Sequence, residues 1–242
     1  MKSLLCLLAV CTVVLATTKE EYCDTCPDEH AMCIYEGVSE ACDADGLCGV
    51  SDSEKEQVVD LHNELRNKVA MGQERQGSPG PQPPASNMRK MTWDDGLAEV
   101  AQRWADQCDY GHDSCRNDPR FEEVQYHVGQ NIAYDFPCED GADWRVPIGL
   151  WYDEVADFDS SGVKCFKFDS GASHYTQLIW AETASIGCGF RTYTASSGEC
   201  RRYYVCNYGP GGNYDDSPIY EEGDPRSSCP DAQFDSKYPG LC

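Results

Sequence analysis

Cysteine is what most limits how this chain can fold. Of its 16 cysteines, Cys6 and Cys11 lie in an apolar N-terminal run, and fourteen follow it. That run, "SLLCLLAVCTVVLA", comes after Lys2 and ends in the small residues Ala16, Thr17 and Thr18. It has the length of a signal-peptide core and falls short of the roughly 20 apolar residues a spanning helix needs. Residues 1–17 are therefore expected to be a cleaved secretory signal, and the mature chain to be secreted, extracellular and without a membrane span. In an oxidising compartment an even set of fourteen cysteines is expected to be bridged throughout. Zinc knuckles would need paired CxxC motifs; Cys23 and Cys26 form one, and no second pair answers it. Spacing alone does not give the pairing.

Charge narrows the partners. Lys and Arg number 19 against 42 Asp and Glu, a net charge of −23. Such a field disfavours nucleic acid and anionic membranes and leaves cations, basic proteins and neutral ligands. No Asn-X-Ser/Thr sequon occurs.

The chain reads as one principal domain with extensions: residues 18–50 are a cysteine-rich N-terminal extension, 51–214 the main domain and 215–242 an acidic, cysteine-closed tail. Residues 19–50 hold five cysteines among turn formers and need stapling to the main body. Ser53 with Glu56 suggests a capping box opening a helix up to Gly72, with Val58, Leu61, Leu65 and Val69 on one stripe. His62 lies beside that stripe and is read as a hydrogen-bonded core residue. A second helix carries Leu97, Ala101, Trp104 and Cys108; His112 ends the same face if the helix continues past Gly111. A third helix places Trp151, Glu154 and Phe158 together, and a carboxylate between aromatics needs a cationic, metal or donor partner. "VGQNIAY", "SIGCGFRTYT" and "CRRYYVCNY" read as strands, the last two joined through Ser196, Ser197 and Gly198. Helices first and strands last predict an α+β domain on an antiparallel sheet. "PQPPASNM" and the tail read as exposed segments available for contact.

At "SHYTQLIWAET" and "YVCNYGPGGNY" the chain resembles the CAP superfamily of cysteine-rich secretory proteins, antigen 5 allergens and pathogenesis-related 1 proteins. The stretch from "HNELRNKVAMG" to "CDYGHDSCR", with "WYDEVADF" and "YPGLC", is similar to the arthropod antigen 5 branch, the venom and salivary allergens. The resemblance spans roughly residues 20–242. It implies a disulfide-rich three-layer α–β–α sandwich with a central antiparallel sheet. It also implies a cleft formed by His112, Gln130, Glu154 and His174, with Gln130 standing where the family more often has glutamate. His112 and His174 are the implied metal ligands, for weak zinc rather than a required cofactor, since a closed zinc site takes four protein ligands. The polar cluster without metal is the competing reading. The implied disulfides are Cys23–Cys33, Cys26–Cys115, Cys42–Cys108, Cys188–Cys206 and Cys229–Cys242. Cys48, Cys138, Cys165 and Cys200 stay open, with Cys138–Cys165 and Cys48–Cys200 as one arrangement.

The resemblance implies a secreted venom or salivary allergen-like protein that acts by binding: an unknown host protein, a small lipid or sterol, or a divalent metal. A monomer is expected. The second reading is a hydrolase, either metal-assisted at His112 and His174 or serine-dependent through Ser173, His174 and Glu154. No GxSxG elbow accompanies Ser173, and adjacent side chains seldom form a nucleophile–base pair. Ser173 is instead expected to cap the helix "HYTQLIW", with His174 turned inward toward His112 and Glu154.

Overall fold

The computed structural model describes residues 17–125, 127–138, 141–168, 171–229 and 233–242, so the expected signal segment lies almost wholly outside the described residues. The elements run in the order α1 (Lys19–Thr25), α2 (Ala31–Ile34), α3 (Asp52–Ala70), β1 (Thr92–Trp93), α4 (Asp95–Ala105), β2 (Gly129–Asp135), α5 (Arg145–Asp153), α6 (Ser173–Leu178), β3 (Ser185–Thr194) and β4 (Cys200–Gly209). The sheet order is β1-β3-β4-β2, antiparallel except for the two-residue β1, which lies parallel to β3. That short edge strand was not visible in the sequence; two residues show no period.

Alternation along the strands builds three layers. Cys206, Tyr204 and Tyr208 of β4 face a core with Val58 of α3, Ile148 and Trp151 of α5, and Leu178 of α6. Tyr203 and Val205 face the opposite way, onto Ala101, Trp104 and Ala105 of α4. The result is the α–β–α sandwich. α4 can approach closely because β3 has glycine beneath it. A Cβ on Gly187 would come within 2.2 Å of the Ala98 backbone nitrogen, and one on Gly189 within 2.5 Å of Gln102.

Three expectations are corrected, two of them about helix ends. α3 starts two residues before the Ser53–Glu56 box: Ser51 is its N-cap, and the Ser51 N–H donates to Glu54 at 2.8 Å. α4 stops at Ala105, and Cys108 is left-handed at φ 55°, so His112 belongs to a loop and not to the face of that helix. "PQPPASNM" is no exposed arm, since Gln82, Ala85, Ser86 and Met88 are buried. The tail also enters the core. Ile219, Tyr220, Tyr238 and Leu241 are buried there, and the Tyr238 hydroxyl donates to Asp60 at 2.7 Å.

Six disulfides are present among the described residues: Cys23–Cys33, Cys26–Cys115, Cys42–Cys108, Cys138–Cys200, Cys188–Cys206 and Cys229–Cys242. Cys26–Cys115 and Cys42–Cys108 tie the N-terminal extension to the end of α4 and the loop after it. Cys188–Cys206 joins directly paired residues of β3 and β4. The alternatives Cys138–Cys165 and Cys48–Cys200 are overturned, and so is complete bridging. Cys138 bonds Cys200 across the end of the sheet, and Cys48 and Cys165 are exposed thiols.

A polar line of α3 is as deeply buried as its apolar one: His62, Asn63 and Arg66 are each at most 1% exposed, like Val58 and Val69. His62 donates from Nδ1 to the Val58 carbonyl at 2.8 Å and accepts from the Tyr208 hydroxyl at 3.0 Å. It is the core histidine expected. Arg66 donates to the carbonyls of Arg89, Leu178, Trp180, Ala181 and Thr183 at 2.7–3.2 Å. Burial lowers its pKa, but a guanidinium stays charged in proteins, so these five oxygens must replace its hydration.

Arg66→Met should therefore remove every one of these bonds, leave the Arg89, Leu178 and Thr183 carbonyls without a donor, and cost on the order of 4 kcal/mol. Urea denaturation measures it, and a loss below about 1 kcal/mol would contradict the cage. His62 gives a pH prediction. Burial lowers its pKa to about 4, against about 6.5 in the unfolded chain. The unfolded chain then binds the proton first, so the contribution is full above pH 6.5 and is lost as pH falls through 4. This amounts to about 3 kcal/mol. Denaturation midpoints at pH 7 and pH 4 should converge in His62→Gln more than in the parent.

Candidate functional site

The loop after α4 carries His112. Trp104 Nε1 and the Tyr203 hydroxyl both donate to the Gly111 carbonyl, at 2.8 and 3.0 Å, and Cys115 is bonded to Cys26. The loop is held on both sides of the histidine. His112 Nδ1 meets Gln130 Oε1 of β2 at 2.7 Å, and Gln130 Nε2 donates to Asn207 Oδ1 of β4 at 3.0 Å. Burial lowers the His112 pKa, with the charges of Arg116 and His174 adding to the effect and the Gln130 bond opposing it.

The second arm comes from the other face of the sheet. Glu154 stands where α5 gives way to a 3-10 turn, and its carboxylate receives the start of α6. Oε2 accepts the N–H groups of His174 and Tyr175 at 2.9 and 3.1 Å, and Oε1 accepts from His174 Nδ1 at 2.5 Å. A carboxylate at a helix N-terminus satisfies free N–H groups and meets the positive end of the dipole. This corrects the role of Ser173. The N-cap residue is Ala172, and the capping oxygens come from Glu154. Ser173 instead accepts at its carbonyl from Asn213 at 2.9 Å, and Thr176 donates to the same Asn213 side chain at 2.8 Å. The His174 ring stacks on Trp151, whose Nε1 donates to the Ile132 carbonyl.

The structure thus gives Glu154 the donor partner its aromatic setting demanded. It forms two pairs, His112–Gln130 and His174–Glu154, near enough for the charge of one histidine to act on the other. The His174 and Glu154 side chains are 28% and 22% exposed, so the second pair is open to solvent. Among the described residues no group of three or more His, Cys, Asp or Glu side chains is placed to hold a metal ion. Asn207, Asn213 and Asn131, which support the two arms, went unnoticed in the sequence; a lone asparagine carries no periodic signal. Surface recesses of about 760 and 820 Å³ lie elsewhere, one beside Lys55, Trp93 and Tyr238, the other beside Cys165 and Phe168.

The sequence pattern of the cysteine-rich secretory protein family, CAP, matches residues 59–208. The chain belongs to the CAP family. Venom allergens of insects are among its curated relatives. Venom allergen 3 of Solenopsis invicta is 44% identical over 201 residues, covering 79% of this chain and 83% of the relative. Venom allergen 5 of Dolichovespula arenaria is 42% identical over 208 residues, covering 83% and 98%. Among solved structures, NaASP2 with Zn2+ superposes with a TM-score of 0.62 at 30% identity, covering 83% of this chain and 99% of the other. This CAP chain is therefore venom allergen-like, disulfide-rich and α+β. No helix among its described residues is long and apolar enough to cross a membrane.

Glu154→Ala should remove three hydrogen bonds from the start of α6 and cost about 2 kcal/mol. Glu154→Gln, which keeps one acceptor, should cost less. Thermal or urea unfolding decides, with the exposed neighbour substitution Asp153→Ala as a control expected to change little.

Proposed function

We propose that this chain is a secreted, non-enzymatic binding protein whose cleft holds a divalent cation, zinc among them, weakly through His112 and His174. The observation that carries this reading is the state of the two imidazoles. Each uses Nδ1 toward an oxygen, Gln130 Oε1 or Glu154 Oε1, which leaves the two Nε2 atoms as the remaining ring nitrogens. Neutral imidazoles backed by an amide or carboxylate are the usual form of a histidine metal ligand. NaASP2, solved with Zn2+, supports the same reading. Two nitrogens fit a reversible site rather than a closed structural one, at about 2.0–2.1 Å for zinc. When bound, the ion supplies open positions to which a donor group of a host protein or small ligand can attach.

The hydrolase readings are less well supported. Glu154 on His174 Nδ1 would suit the orienting acid of a triad, but no hydrogen bond joins Ser173 Oγ to His174 Nε2, where the nucleophile would have to be. A metal-hydroxide mechanism lacks a third strong protein ligand among the described residues. Secretion is supported by the apolar N-terminal run and by six disulfides of the kind that persist in oxidising compartments.

Protonating either imidazole blocks its lone pair, so zinc affinity should weaken as pH falls. Because burial lowers the His112 pKa, its share of that loss is displaced below the ordinary value of about 6.5. Calorimetric titration should show binding at pH 7.5, weaker binding at pH 5.5, and loss in His112→Ala or His174→Ala. Binding that survives both substitutions would place the metal elsewhere, with the exposed Asp215, Asp216, Glu221 and Glu222 as the next place to look.

A further inference from the structure

We propose that Asn207 is a positioning residue for the cleft: acting through Gln130, it selects the His112 tautomer whose Nε2 carries the free lone pair. The proposal starts from an ambiguity. An amide side chain offers an acceptor at one end and a donor at the other, so a chain of two amides and an imidazole can run in either direction. Run one way, His112 donates from Nδ1. Run the other way, Gln130 Nε2 would donate to Nδ1, and the proton of a neutral ring would sit on Nε2.

Only a group with a single role can break the tie, and the far end of this chain has one. Asn207 Nδ2 reaches the backbone carbonyl of Leu97 in α4 at 3.4 Å, and a carbonyl can only accept. Asn207 is fully buried, which removes solvent as an alternative partner. With Nδ2 turned to Leu97, Asn207 Oδ1 must accept, and it accepts from Gln130 Nε2 at 3.0 Å. Gln130 Oε1 is then the acceptor for His112 Nδ1 at 2.7 Å. The reversed chain would set Asn207 Oδ1 against the Leu97 carbonyl, two acceptors facing each other in the interior. His174 reaches the same tautomer by a shorter route, through the Glu154 carboxylate. Two imidazoles are thus prepared alike, one by a charge and one by a neutral relay anchored to a helix carbonyl.

The tautomer assignment stands on this geometry, and its consequence for zinc rests on the binding reading above. The test is nitrogen-15 NMR of the imidazoles in metal-free full-length protein at pH 7.5. His112 Nδ1 should appear as a protonated nitrogen and Nε2 as an unprotonated one. Asn207→Leu, which removes both the donor and the acceptor, should give a mixture of the two tautomers and raise the zinc Kd by about tenfold to a hundredfold, as loss of an outer-shell partner does. A parent protein with the proton on Nε2 would overturn the relay. So would a folded Asn207→Leu whose tautomer is unchanged. If that variant does not fold, Gln130→Met, judged by the same spectrum, takes its place. A parent that shows the expected tautomer but binds no zinc defeats the metal reading and leaves the relay standing.

Discussion

The architecture depends on one buried cation. Arg66 lies about one turn from the end of α3 and spends its guanidinium on five backbone carbonyls, one from Arg89 and four from residues 178–183. Those four oxygens belong to the end of α6 and the segment that leads into β3. A charge that cannot be neutralised thereby dictates the path of a stretch with almost no regular structure of its own. If Arg66 were apolar, its place would be filled, but the carbonyls of Arg89, Leu178 and Thr183 would lose their donor, and only those of Trp180 and Ala181 would keep a backbone N–H partner. The position of α6, and with it His174, follows from where α3 puts this side chain.

The cleft is assembled from both faces of the sheet, and β2 joins its halves. Gln130 points to the α4 face, where Asn207 lies directly across on β4. The next residue, Asn131, points to the other face, donating to the His174 carbonyl at 3.0 Å and to the Tyr208 hydroxyl at 3.3 Å. Tyr208 in turn meets His62 on α3. The two-residue period of a strand therefore sends one amide to each histidine. Displacing β2 by a single residue would exchange the roles of Gln130 and Asn131 and break both arms.

Much of this could be read in the sequence, for reasons that differ by element. The three long strands showed themselves through β-branched and aromatic runs, and α4 through the spacing of Leu97, Ala101 and Trp104. α3 was found, and its stripe of Val58, Leu61, Leu65 and Val69 packs on the core as read. Beside it, His62 was expected to be buried, but Asn63 and Arg66, equally deep, were missed. Hydrophobic periodicity cannot reveal a polar core, because such a core is defined by partners far along the chain. The same limit explains Ser173. Serine before a helix is a local capping signal, and here a carboxylate 19 positions upstream prevails because it brings charge as well as two acceptor oxygens. The pairing of Cys138 with Cys200 was invisible for a related reason. It depends on β4 bringing Cys200 to the end of the sheet, a matter of register rather than spacing.

Gln130 changes what such a cleft can hold. In a chain with a net charge of −23, carboxylates are the expected lining of a cation site, yet among the described residues Glu154 is the one acid hydrogen-bonded to either histidine. A second carboxylate at position 130 would accept from His112, but it would also face Asn207 Oδ1 and force that amide to turn away from Leu97. The neutral amide avoids this conflict and keeps the relay intact. It also leaves a bound divalent cation less than fully neutralised by its surroundings. Under the proposed reading such an ion would retain attraction for an anionic or strongly dipolar ligand, while the acidic surface would raise the local concentration of the cation itself. Under the proposed binding reading, the long-range field and the local site would act in sequence: the first would gather cations without discrimination, and the second would keep them through two prepared nitrogens, loosely enough for a partner's donor atoms to complete the coordination.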